Sequence, residues 1–304
     1  MIIETAIEFF SEGAILRGRL VMPAPGASRR PAVIMAHGTS ATVEMVMIEY
    51  ARVFARAGLV ALVYDHRNLG RSGGEPRGEI NPWVQCRGYL AALDFATQRT
   101  EIDPGRIALW GDSYTGGQVV AVAACDPRPR AVVAQCPVFG ASLPSQVPDA
   151  DFLKAFKHTL LEGDVTGTSE TTTGPLPVVS FDPSSVPSLL APIQAFRWFI
   201  DYGGRPGSGW SNRVSRVIPP TPVPYAPILC APFVKVPVLL MVAPADEMVH
   251  ANVEVTRHAY GLLAGPKRWV DIDDGHFGLL YYPSARFDEA AGTQAAFLQQ
   301  QLLP

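Results

Sequence analysis

Residues 106–124 read RIALWGDSYTGGQVVAVAA, and the stretch changes character twice. Ile107 to Trp110 is an unbroken apolar run, the pattern of a strand buried on both faces. Gly111 to Gly117 is turn material, and Gln118 onward is small, apolar and helix-compatible. A strand, a sharp turn and a helix are therefore predicted, with Ser113 at the turn. In an open parallel sheet that position is the carboxyl edge, where ligands bind. Whether Ser113 is a reactive group depends on what the rest of the chain brings to the same edge.

The same strand pattern recurs on both sides of this stretch. AVIMAHG, VALVYD, AVVAQCP, VPVLLMVAPAD and RWVDIDDGH are further short apolar runs bounded by turn residues. Segments of helical period lie between them: TVEMVMIEYARVFARAG, NPWVQCRGYLAALDFATQR and ANVEVTRHAYGLLAG. Gly58 closes the first as a C-terminal cap, and Asn81-Pro82 opens the second. Strand–helix alternation predicts an α/β fold, a mostly parallel central sheet flanked by helices with right-handed crossovers. The opening AIEFF…ILRGRLVMP reads instead as an antiparallel hairpin leading into the sheet.

Residues 141–232 break the alternation. They are rich in Pro, Ser, Thr and Gly, as in TGTSETTTGPLPVV and RVIPPTPVPYAPILCAP. So long a structureless stretch does not fit inside a compact domain. DADFLKAFKHTLLEG and SLLAPIQAFRWFIDYGG look helical, and their aromatics argue against a disordered tether. The predicted organisation is a core of residues 1–140 and 233–304 carrying a cap or lid at 141–232. Phe152, Phe156, Phe196, Trp198, Phe199 and Trp210 are expected to include residues lining an apolar substrate pocket.

Ser113 is not alone at its edge. Asp246 follows VLLMVAPA and His276 follows WVDIDDG, so three predicted strands end in a hydroxyl, an acid and an imidazole. A serine hydroxyl becomes a nucleophile when a neutral imidazole takes its proton during attack. An acid on the far ring nitrogen fixes the tautomer and stabilises the imidazolium that forms. The oxyanion needs two donors, and the backbone N–H groups of Tyr114 and of Thr39, after MAHG, are the natural pair. His37 reads as shaping that turn, and Asp65 and His66 as holding loops by hydrogen bonds. His250 is expected at the surface, Glu247 is the substitute acid, and Asp271, Asp273 and Asp274 read as structural. Asp112 is expected to tune the site from outside the three.

Composition narrows the partners. The chain has 304 residues, 48% hydrophobic and 17% charged, with a formal net charge of -3. Mild acidity gives nucleic acid and anionic membrane no electrostatic attraction. No apolar run approaches the roughly 20 residues of a membrane span. The N-terminus shows no secretion signal, and the scattered Cys86, Cys125, Cys136 and Cys230 read as reduced thiols of a cytoplasmic protein. No metal-ligand or nucleotide-binding spacing is present, so no metal and no cofactor are expected. A homo-oligomer is compatible with the sequence.

Four blocks carry a resemblance: AHGTSATVEM, LVYDHRNLGRSGGEPRGEINPW, RIALWGDSYTGG and DDGHFG. Together they resemble serine hydrolases of the α/β-hydrolase superfamily, near the dienelactone hydrolase and X-Pro dipeptidyl-peptidase/cocaine esterase classes. Within these they are similar to a fungal polyketide transferase. The order Ser, Asp, His is the one that fold uses. Thr115 departs from the G-x-S-x-G turn, where a second glycine stands; Gly116 and Gly117 are expected to supply the close packing instead. The resemblance implies hydrolysis of a small-molecule carboxylic ester or lactone through an acyl-enzyme. Thioesterase or acyltransferase chemistry on an acyl-thioester, and a non-catalytic ligand-binding protein on the same scaffold, are the alternatives.

Overall fold

A computed structural model describes residues 1–24 and 29–303. The chain runs through strands β1 (Ile2–Ser11), β2 (Ala14–Pro23) and β3 (Arg30–Ala36), then helix α1 (Met47–Arg56) and β4 (Val60–Tyr64). Next come β5 (Glu79–Ile80), α2 (Pro82–Thr97), β6 (Ile102–Asp112), α3 (Tyr114–Cys125) and β7 (Pro129–Gln135). The inserted segment holds α4 (Ala150–Glu162), β8 (Thr172–Leu176), α5 (Ile193–Gly203), β9 (Val214–Val217) and the short α6 (Pro227–Cys230). The chain closes with β10 (Val238–Val242), α7 (Val253–Leu262), β11 (Lys267–Asp271) and α8 (Ala285–Leu302).

Eight strands form one sheet in the order β1-β2-β4-β3-β6-β7-β10-β11. From β4 to β11 all neighbours are parallel, while β1, β2 and β4 pair antiparallel, as the N-terminal hairpin pattern predicts. The strand interiors are apolar because helices cover both faces: Val60–Tyr64 and Val238–Val242 are buried at every residue. Two buried clusters result, one on each side of the sheet. The order reverses direction at β3/β6, which sets the topological switch point beside the end of β6.

Local signals act where the sequence puts them. The Asn81 side chain accepts from the N–H groups of Trp83 and Val84, and Pro82 occupies the first turn of α2. Gly58, with φ 95°, ends the α1 turn in a conformation that L residues avoid.

The inserted segment is not a separate globule. β8 and β9 join β5 of the main chain in a second, three-stranded sheet of order β5-β9-β8. Phe152 and Phe156 of α4 are buried in the cluster that holds α2 and α3, and Trp198 and Phe199 of α5 in the cluster on the other face. Residues 141–232 thus share both cores of the chain that they interrupt. No helix among the described residues is long and apolar enough to cross a membrane.

Candidate active site

β6 ends at Asp112, α3 begins at Tyr114, and Ser113 alone makes the turn, at φ 53° and ψ -119°. That backbone is unfavourable for a residue with a Cβ and persists only where its surroundings enforce it. The enforcement is visible. Ser113 N–H donates to Gln135 at 2.8 Å, and the Ser113 carbonyl accepts from Gly116 and Val138 at 3.0 and 2.9 Å. A Cβ on Gly111 would lie 2.3 Å from the Thr115 carbonyl, and one on Gly117 2.4 Å from the Val138 carbonyl. The close packing falls to glycines before and after the turn, so position 115 is free to hold a larger residue. Thr115 uses it: its buried hydroxyl accepts from Asp112 N–H at 3.0 Å and lies 2.9 Å from the Ala36 carbonyl, tying the turn to β3.

The loop after β3 packs directly on this turn. A Cβ on Gly38 would meet the Asp112 carbonyl at 2.6 Å and the Ser113 Cβ at 2.8 Å. Thr39 follows at φ 49°, and neither its N–H nor that of Tyr114 has an internal acceptor among the described residues. Two free amides therefore flank Ser113. Gln118 donates to Gln85 at 2.6 Å, and Gln85 reaches the Thr39 carbonyl at 3.5 Å, bracing the loop from two helices. Both glutamines went unread in the sequence, where nothing but their burial side would mark them.

A buried pair lies beneath. His37 Nε2 donates to the Met45 carbonyl at 2.9 Å, and its Nδ1 lies 3.0 Å from Asp112 Oδ1. Burial alone would push the His37 pKa down, but the adjacent Asp112 carboxylate outweighs it and the result is a rise. The Gly38 N–H lies 3.0 Å from both Asp112 Oδ1 and His37 Nδ1. Asp112 and His37 thus hold the loop in shape. Asp65 accepts from the Val43 and Arg71 N–H groups at 2.8 Å each, the loop-holding use expected of it. Burial raises its pKa to about 6, and burial also depresses His66, to about 3.

His276 Nδ1 lies 2.6 Å from Asp246 Oδ2, with both side chains almost wholly buried. The other Asp246 oxygen accepts from Met248 N–H at 2.8 Å. Glu247 accepts instead from the main-chain N–H of His276 at 2.9 Å, and its carboxylate fills the space beside Gly275. Adjacent acids therefore take different tasks, ring and backbone. Asp271 bonds Trp269 at 2.6 Å, Asp274 caps Gly275 at 2.7 Å, and Asp273 is fully exposed. Cys136, Asp246 and His276 bring potential metal-donor atoms within 4.8 Å of one another. Burial pushes the Cys136 thiol up, away from the thiolate a metal requires, and Asp246 already occupies the ring nitrogen.

Ser113 borders two spaces. A cleft of about 10 Å³ is shared by Ser113, Thr39, Asp112, His276, Trp198 and Phe199. A chamber of about 780 Å³ also opens at Ser113 and Thr39. The Ser113 hydroxyl makes no hydrogen bond to His276 among the described residues; such bonds are often long until substrate binds.

The inserted aromatics divide between the cleft and the core. Of the six inserted aromatics, Trp198 and Phe199 line the small cleft, and none lines the chamber. Phe152 and Phe156 face inward, Phe156 packing at a tilt against Trp83 at 4.6 Å. Phe196 meets Phe181 at 5.7 Å, and Trp210 packs on Phe199 at 5.4 Å. Aromatic rings fill the core because they carry the most apolar area. The chamber wall is the proline run from Pro219 to Pro227, with Trp83, Leu189, Leu190 and Tyr225. Proline has a fixed φ and no N–H, so such a wall is rigid and offers few donors. His250, expected at the surface, is exposed at the chamber rim.

Comparison with known proteins agrees with this architecture. Residues 12–143 match the family model of X-Pro dipeptidyl-peptidase (S15 family), under half of the chain. The α/β hydrolase GrgF from Penicillium superposes with a TM-score of 0.74 at 22% identity, over 99% of each chain. The chain has the α/β-hydrolase fold. Among curated relatives, the thiohydrolase aneE of Aspergillus aculeatus is 39% identical over 145 residues, 47% of this chain and 45% of that one. The chain therefore spans less than half of that relative. The quorum-quenching protein AidA of Acinetobacter baumannii is 28% identical over 273 residues, 89% of this chain and 86% of that one.

Proposed function

We propose that this α/β-hydrolase cleaves a carboxylic ester, lactone or thioester by way of an acyl-enzyme on Ser113. The observation that carries the proposal is the buried 2.6 Å contact of Asp246 with His276, at the same sheet edge as the enforced Ser113 turn. Asp246 accepts a hydrogen bond from the Nδ1–H of His276, which leaves Nε2 as the base. Ser113 Oγ attacks the acyl carbon as its proton passes to Nε2. The carbonyl oxygen, now negative, takes the free N–H groups of Thr39 and Tyr114. When the tetrahedral adduct collapses, His276 returns the proton to the departing alcohol or thiol. Water then attacks the acyl-serine by the same proton route and restores Ser113.

A second reading keeps the acyl-enzyme but passes the acyl group to an alcohol or amine acceptor. It is favoured by the size and apolar wall of the chamber, which can hold an acceptor beside the acyl-serine. The thiohydrolase name of one relative supports thioesters as donors. A panel of p-nitrophenyl esters, lactones and N-acetylcysteamine thioesters, assayed with and without added alcohol, tests both. Acid release alone supports hydrolysis, new ester supports transfer, and no Ser113-dependent turnover of any acyl donor refutes both.

A further inference from the structure

Among the described residues that line the chamber, Arg216 is the one with a fixed charge. Arg216 sits in β9 opposite Ile80 of β5, and both residues line the chamber that opens at Ser113. The rest of the lining is mainly apolar, including Trp83, Leu190, Pro222 and Tyr225. Several other arginines are paired, Arg67 with Glu79, Arg87 with Glu12 and Arg128 with Asp94 and Asp126, and those that are not do not line the chamber. Arg216 has no ion-pair partner and makes no side-chain hydrogen bond among the described residues. Its guanidinium is exposed, with the chamber as its surroundings. Arg216, Ser113 and Tyr114 line the same chamber, and Arg216 opposes the rise to about 12 that burial imposes on the Tyr114 phenol. Tyr114 directly follows Ser113.

We infer that Arg216 is a specificity residue that binds an anionic group, a carboxylate or a phosphate, on the substrate whose acyl carbon meets Ser113. The inference rests on the Ser113 chemistry proposed above and names the substrate class for it: an acyl compound with an apolar body and one remote anion. A guanidinium presents a planar fork of donors that matches either oxyanion in bidentate fashion. The small β5-β9-β8 sheet fixes where that fork starts, and the proline wall beside it leaves few competing donors. A neutral substrate would gain nothing from a cation placed there. The anion can belong to the acyl part or to the leaving group, and the two sources are separable.

The acyl arm compares p-nitrophenyl hexanoate with the p-nitrophenyl monoester of adipic acid. The leaving-group arm compares hexanoyl thioesters of pantetheine and of pantetheine 4′-phosphate. Wild type, Arg216→Gln, Arg216→Lys and Ser113→Ala are measured with each pair. The expected result is that wild type favours the anionic member of one pair by roughly tenfold in kcat/KM, mainly through KM. That ratio falls toward unity in Arg216→Gln and is partly kept in Arg216→Lys. The pair that shows it tells whether the anion is on the acyl or the leaving side. A wild-type ratio near unity in both pairs, or a ratio that Arg216→Gln leaves intact, overturns the inference while Ser113-dependent turnover stands. Equal turnover in Ser113→Ala would instead overturn the underlying chemistry.

Discussion

At the scale of single residues, the site assigns different work to chemically similar neighbours. Asp246 and Glu247 are adjacent carboxylates, yet one meets the His276 ring and the other its main-chain N–H. Losing the ring contact frees the imidazole to adopt the wrong tautomer, whereas losing the backbone contact only loosens the loop. Asp246→Asn is therefore expected to lower kcat by roughly 10³-fold or more, and Glu247→Gln by about tenfold or less. Initial rates on one activated ester rank the two, and the reverse order would move the orienting role to Glu247. The sequence places both acids after the same strand and ranks Asp246 first, with Glu247 as the substitute. A difference of one residue in where a strand ends is settled by three-dimensional packing, here Glu247 filling the space at Gly275.

At the scale of elements, the strand–turn–helix around Ser113 was readable because each part carries its own signal. The apolar run marks β6, the glycines mark the turn, and the order Ser, Asp, His marks three strand ends. Thr115 was legible only in part. Its side chain is wholly buried and bridges β6 to β3, a role that spacing cannot reveal. Thr115→Val keeps the shape and removes the hydroxyl, leaving buried main-chain groups with a bond missing. A loss of about 1–3 kcal/mol in unfolding free energy is expected, and Thr115→Ser should recover most of it. Urea titration of the three proteins decides; a Val variant as stable as wild type would deny the bridge any role.

The inserted segment was the least legible element. Its aromatics are too many for a solvated stretch, which points to a core, a pocket or both. Phe152, Phe156, Trp198 and Phe199 are buried in the two cores, and Trp198 and Phe199 also line the cleft at Ser113. Phe156→Ala is accordingly expected to cost about 3–5 kcal/mol of stability, with preference among acyl chain lengths unchanged. A shift in that preference at undiminished stability would return Phe156 to the pocket. The Arg216 and proline lining escaped notice because neither strand β9 nor a proline wall has a periodic signature at such length.

At the scale of the whole molecule, burial of ionisable groups links the site's foundations to pH. His66 is buried between the rings of Tyr64 and Tyr89, at 5.4 and 5.9 Å, and burial depresses its pKa from 6.5 to about 3. The folded state thus binds the proton less well than the unfolded chain. The stability contributed by neutral His66 is complete above about 6.5 and is lost as pH falls toward 3. Asp65 acts oppositely below about 6 but is common to both proteins compared. Between pH 7 and about 4.5, wild type should therefore lose more stability than His66→Phe does. Equal losses, read from urea midpoints, would mean that His66 does not titrate as its burial implies.

The central claim is that Ser113 forms the acyl-enzyme. The most direct measurement is peptide mapping by mass spectrometry after brief exposure to a fluorophosphonate, run beside Ser113→Ala. The expected result is a single adduct on the peptide containing Ser113, none in the alanine variant, and ester turnover lost with it. An adduct on another residue, or a Ser113→Ala protein that still hydrolyses the ester at the wild-type rate, would contradict the account.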